Sequence, residues 1–116
     1  MTEISNLLND VNDNDRAVFI IALKEFPKAA KQYTHSPSAA SLNKKMAKSA
    51  MNKIEVRARR FSADEIRVLD IALILLEEKI NTVEANGFSD IMNNQIRTTI
   101  NKFLPTLEEF VDSLLD

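Results

Sequence analysis

Few side chains in this 116-residue chain are suited to chemistry, and their spacing limits what they can do. Histidine occurs once, at His35, and cysteine not at all. One histidine cannot supply a helical zinc pair or the two histidines of a carboxylate-bridged di-iron bundle. Without cysteine there is no thiolate nucleophile, no disulfide framework and no thiolate-bound zinc. His35 stands beside Ser36 and Pro37 in a turn, which favours a solvent-facing imidazole over a general base. Two acid pairs, Asp64-Glu65 and Glu77-Glu78, are adjacent in sequence. Neighbouring helical positions point about 100° apart, so neither pair converges on one reacting group. An enzyme is not expected, nor is a cofactor or a metal.

The acidic stretch Asn9-Asp10-Val11-Asn12-Asp13-Asn14-Asp15 is a natural place to look for a calcium loop. With Asp10 as the first ligand, Asn12 and Asn14 fall at the third and fifth positions. Asp15 then occupies the place of the glycine that makes the sharp bend, and Ile21 the place of the bidentate glutamate. The pattern fails at its two most demanding positions. Asp and Asn bond readily to nearby backbone amides, so the stretch reads as a capping turn.

Charge is strongly segregated along the chain. Residues 1–23 hold one base against four acids, residues 24–60 ten bases against two acids, and residues 61–116 four bases against eleven acids. Two readings follow. Helices of opposite charge can lie side by side and neutralise each other. Alternatively the basic segment 44–60, with Lys44, Lys45, Lys48, Lys53, Arg57, Arg59 and Arg60, can track the phosphates of a nucleic acid.

These residues need elements to position them, and the pattern is helical. A single glycine, Gly87, leaves no material for tight hairpins or phosphate-cradling loops. Ile4, Leu7, Leu8 and Val11 predict a short amphipathic helix over residues 3–10, with Thr2 as its cap. A second helix is expected over 15–33, from Phe19, Ala22, Leu23, Phe26, Ala30 and Tyr33. Pro27 predicts a kink or break within it. The run Val18-Phe19-Ile20-Ile21 would also suit a buried strand. Ser36 and Pro37 start a third helix. Its stripe of Ala39, Leu42, Met46, Ala50, Ile54, Ala58 and Phe61 carries it to residue 61. Lys44, Lys45, Lys48 and Arg59 fall on the opposite face.

The fourth helix, residues 62–86, opens with a capping box of Ser62 and Glu65. Ile66, Leu69, Leu73, Leu76, Ile80 and Val83 form one apolar face. Val68, Ile71 and Leu75 form a second, which suits a central helix or a partner interface. Gly87 is placed to stop it. A fifth helix starts at Ser89 and ends before Pro105, and a sixth runs from Thr106.

A second periodicity overlaps the basic segment. Lys53-Ile54-Glu55-Val56-Arg57-Ala58-Arg59 alternates as a strand does, and reads equally as the end of the third helix. A capped helix follows, then Gly87-Phe88-Ser89 and another helix containing Ile96-Arg97. Over residues 53–103 this order resembles a ribbon-helix-helix DNA-binding domain. The resemblance implies paired strands from two chains in a major groove, with Lys53, Glu55, Arg57 and Arg59 touching bases or phosphates. The helix over 63–86 is longer than that family's first helix.

The expected fold is therefore all-α, a single-domain helical bundle of four to six helices over residues 1–116. The expected function is a non-catalytic protein-interaction or regulatory module. Its partner is an unidentified protein or a second copy, and its partner face is Val68, Ile71 and Leu75. The alternative is a nucleic-acid binder. The apolar runs at 17–23 and 71–76 are far shorter than the roughly 20 residues of a membrane span. The first residues, Met1-Thr2-Glu3-Ile4, do not read as a signal peptide, so a cytoplasmic location is expected.

Overall fold

The computed structural model describes residues 4–5, 11–30, 36–58, 60–82 and 87–114. The elements in chain order are β1 (Ile4–Ser5), α1 (Asp13–Ala30), α2 (Pro37–Glu55), β2 (Arg60–Phe61), α3 (Ala63–Thr82) and α4 (Asp90–Ser113). The all-α class stands, with four helices among the described residues. His35 and Arg59 lie outside the described residues.

Each helix begins where a short polar side chain takes up its free amides. Ser36 Oγ accepts from the Ala39 N–H, and Ser89 Oγ from the Met92 N–H, at 3.3 and 3.1 Å. The capping box at residue 62 is complete. Glu65 N–H donates to Ser62 Oγ at 3.1 Å, and Ser62 N–H donates to Glu65 Oε1 at 2.7 Å. The acidic turn holds a second box of the same design. Asp15 N–H donates to Asn12 Oδ1 at 2.8 Å, and Asn12 N–H donates to Asp15 Oδ2 at 3.2 Å.

Two expected boundaries are corrected. The first helix expected over residues 3–10 is not one at residues 4–5. There the chain is extended, and Ile4 pairs with Phe61 and Ser5 with Arg60 in an antiparallel ladder. The third helix stops at Glu55, not at Phe61. Arg57 turns into the left-handed region with φ of 58°. Arg57 N–H then donates to the Ile54 carbonyl and Ala58 N–H to the Lys53 carbonyl. This is a Schellman stop with arginine where glycine usually sits. Of the two readings of residues 53–59, strand or helix end, the described residues show the helix end: Lys53, Ile54 and Glu55 are helical and Val56 to Ala58 form the cap.

Neither proline breaks its helix. Pro27 lies inside α1 and Pro105 inside α4, so the fifth and sixth expected helices are one. Proline deletes one backbone bond, but the flanking residues hold the helix through. Phe26 and Ala30 are buried around Pro27, and Leu104 and Leu107 around Pro105. The strand alternative at Val18 to Ile21 is likewise helix.

Helices α1 and α3 each pack on the other three helices. Phe19, Leu23, Ile66, Leu69, Leu73, Ile96, Ile100 and Leu107 are fully buried. Phe19 meets Phe103 edge to face, with ring centroids 5.1 Å apart. Burying each such side chain is worth about 1.5–3 kcal/mol. Ala47 and Ala50 are the buried residues in the middle of α2, and small side chains there let it approach its neighbours closely. Arg97 near the start of α4 donates to the Ile80 carbonyl near the end of α3. The other end of α4 faces Asp70, so α3 and α4 run antiparallel.

Candidate functional site

Surface and buried charges separate into three groups. The first is a pair of buried acids that tie helices together. Asp15 is 3% exposed; it accepts from Thr99 Oγ1 at 2.7 Å and from Lys102 Nζ at 3.0 Å. Glu65, also 3% exposed, accepts from Ser49 Oγ at 2.6 Å and from Lys53 Nζ at 2.7 Å. Burial alone would raise both carboxyls. The donors on Asp15 (Thr99, Lys102, Asn12) and on Glu65 (Lys53, Ser49, Ser62) outweigh it and hold both below the ordinary carboxylate range.

The second group is the basic segment. Lys44, Lys45 and Lys48 are exposed on α2 and have no ion-pair partner among the described residues. Arg60 is exposed on β2. Lys53 is drawn inward by Glu65 and lies 5.8 Å from the Phe61 ring centroid. Arg57 is exposed and reaches Asp13 at 3.3 Å. The structure therefore does not gather the basic residues into one free face.

The third group is the α3 surface. Val68 is 4% exposed and belongs to the core, which corrects its place in the expected partner face. Ile71 is exposed, and Leu75 is half-buried. Ile74, three residues after Ile71, is also exposed and was not in the expected face. Leu75 lines a groove of about 320 Å³ between α1 and α3. Ala22, Phe26 and Ala29 form one wall and Ala72 and Leu76 the other. Three alanines leave the space that larger residues would fill.

The groove is also lined by the polar residues Glu25, Lys28, Glu78, Lys79 and Thr82. Lys79 donates to Glu25 Oε1 and lies 5.3 Å from the Phe88 ring centroid. Glu25 Oε2 is buried and has no hydrogen-bond partner among the described residues. A buried acceptor without a donor is costly, which makes this oxygen a point of attraction for an N–H group.

No family model, curated protein or solved structure matches the chain. The residues themselves are the guide to function.

One further carboxylate was not singled out by the sequence pattern. Asp70 is 5% exposed on α3, and its Oδ1 has no partner. Burial, then Glu108, then Asp112 push its carboxyl up to about 6. The signal for it is an acid inside the apolar run Val68-Leu69-Asp70-Ile71. Among the described residues no group of three or more acids or histidines is arranged to hold a metal ion. No described helix is long and apolar enough to cross a membrane.

Proposed function

We propose that this chain is a non-catalytic protein-interaction module that receives a helix of a partner protein in the α1–α3 groove. The observation that carries this is the groove itself: alanine and leucine walls that include a buried acceptor without a donor among the described residues. Ile71 stands one turn before Leu75, so exposed apolar surface continues along α3 from the groove. An amphipathic helix fits such a trough with residues at i, i+3, i+4 and i+7. The buried Glu25 oxygen calls for a lysine or arginine beside the apolar anchor of that helix.

A displayed library of helical peptides, selected against the full chain, tests the reading. Enriched peptides should share an apolar i, i+4 pair flanked by one basic residue. Ala29→Arg, which fills the groove, should abolish their binding. Glu25→Gln should weaken it about tenfold, the difference between a charged and a neutral acceptor. Peptides without a basic residue, or binding indifferent to Ala29→Arg, would sink the proposal.

A nucleic-acid role is the second reading, favoured by the exposed Lys44, Lys45 and Lys48, which have no ion-pair partner among the described residues, together with Arg60. With about four phosphate contacts, log affinity for duplex DNA would fall with log salt at a slope near −3.6. Fluorescence anisotropy at two salt concentrations measures that slope, and no binding at low salt removes the reading.

A further inference from the structure

Two surfaces of this molecule carry unbalanced charge of opposite sign, and they lie on different helices. On α2, Leu42, Lys45 and Lys48 follow at i, i+3 and i+6, with Lys44 beside them. All four are exposed, Leu42 to 51%. No acid pairs with the three lysines among the described residues. On α3, which packs against α4, Asp70 lies within electrostatic range of Glu108 and Asp112 of α4. Glu108 and Asp112 are exposed, and no described base forms an ion pair with any of these three acids. Asp70 is almost wholly buried, with an oxygen that finds no donor. Ile74 lies one turn beyond Asp70 on the same face and is exposed.

The acidic edge is thus an incomplete arrangement. A buried carboxylate lies near two like charges with no described base to offset them, which is unfavourable unless a proton is taken up or a cation arrives. The α2 strip has the complementary composition: three ammonium groups around one exposed leucine. Among the described residues no ion pair joins α2 to the α4 acids, so the strip does not offset them within its own chain. The overall charge of −2 is small enough that copies do not repel strongly at long range.

We propose that the chain assembles head to tail with copies of itself, the Leu42–Lys44–Lys45–Lys48 strip of one copy seated on the Asp70–Glu108–Asp112 edge of the next. Leu42 meets Ile74 at the centre, and the lysines supply the positive charge that the acidic edge lacks. The two surfaces differ, so the contact is heterologous. It repeats into a ring where the rotation closes and into an open chain where it does not. This assembly leaves the α1–α3 groove free and does not rest on it.

Sedimentation velocity on the full chain gives the test. At low salt the weight-average mass should rise with concentration past two copies. At about 500 mM salt the association should weaken about tenfold or more, as contacts between charged surfaces do. Two variants separate the surfaces: Lys44→Glu with Lys45→Glu and Lys48→Glu, and Glu108→Lys with Asp112→Lys. All five positions are exposed, so circular dichroism should show unchanged helix content. Each variant alone should stay at the mass of one copy, and mixing the two should restore association.

A wild-type chain that remains a single copy at low salt overturns the proposal. So does association that survives either reversal, or variants that fail to associate when mixed. Association lost with Ala29→Arg but kept on charge reversal would place the contact in the groove and overturn it too. Labelled duplex DNA bound through the three lysines, without self-association, would assign the strip to a polyanion and likewise overturn it.

Discussion

The buried Asp70 makes a prediction whose size follows from its surroundings. In the unfolded chain its carboxyl has the ordinary value of 3.8, and in the fold it stands at about 6. A raised acid is a cost to the folded state wherever the group is ionised. The fold binds the proton more tightly than the unfolded chain does, so stability from this group grows as pH falls through 6. It is lost as pH rises. A shift of that size corresponds to about 3 kcal/mol at pH 7.5, falling to about 1 kcal/mol at pH 4.5. Asp70→Asn keeps the shape and removes the charge. It should raise stability at pH 7.5 by about 2–3 kcal/mol, which for a chain of this size is about 10 °C in the melting temperature. Urea unfolding of both proteins at pH 7.5 and 4.5 is the assay. The gain should shrink by about 2 kcal/mol between the two pH values. An equal gain at both would show that size or packing, not ionisation, is responsible. A loss at pH 7.5 would refute the reasoning outright.

The other predictions concern the ties and the helix stops. Asp15 and Glu65 titrate in the opposite sense to Asp70. Their lowered carboxyls contribute stability above their ordinary values, and it is lost as pH falls below about 4. Combined with Asp70, a stability maximum is expected near pH 4.5, and thermal melts across pH 3–8 would locate it. Asp15→Ala should cost about 3 kcal/mol and Thr99→Val about 1.5 kcal/mol in urea unfolding. The double variant should fall short of their sum, because both act on one bond; strict additivity would contradict the link. Arg57→Gly should stabilise by about 0.5–1 kcal/mol, as glycine adopts the left-handed stop freely and the exposed pair with Asp13 is worth little. A lower melting temperature for Arg57→Gly would show that the arginine side chain matters more than its backbone.

Much of the helical frame was readable because short polar caps and 3-4 spacing are local signals. Ser36, Ser62 with Glu65, and Ser89 mark their helices correctly. Part of what failed depended on partners distant in sequence. Ile4 and Ser5 are drawn into a ladder with Phe61 and Arg60, against the helical spacing around them. The stop at Arg57 carries no glycine, so nothing in the residue type announces it. Pro105 suggested an end, but buried Leu104 and Leu107 carry α4 past it. The basic segment was visible as composition. Its division into free lysines on α2 and engaged Lys53 and Arg57 depends on where Glu65 and Asp13 sit in space. The groove was invisible, since it arises from alanines on two helices that read as ordinary core spacing.

The paired duty of Asp15 bears on how the chain acquires its structure during synthesis. Its backbone N–H and its carboxylate close the start of α1 with Asn12, three residues away, and the same carboxylate also takes up Thr99 and Lys102 on α4. The earliest described helix to leave the ribosome therefore receives its last fastening from the latest. Until α4 emerges, Asp15 is a carboxylate that must stay in water, and α1 lacks the setting in which its core face is sealed. Glu65 repeats the scheme over a short span, because Ser49 and Lys53 precede it and are already made. The tie between α2 and α3 can thus form while translation continues, whereas the tie between α1 and α4 must wait for α4.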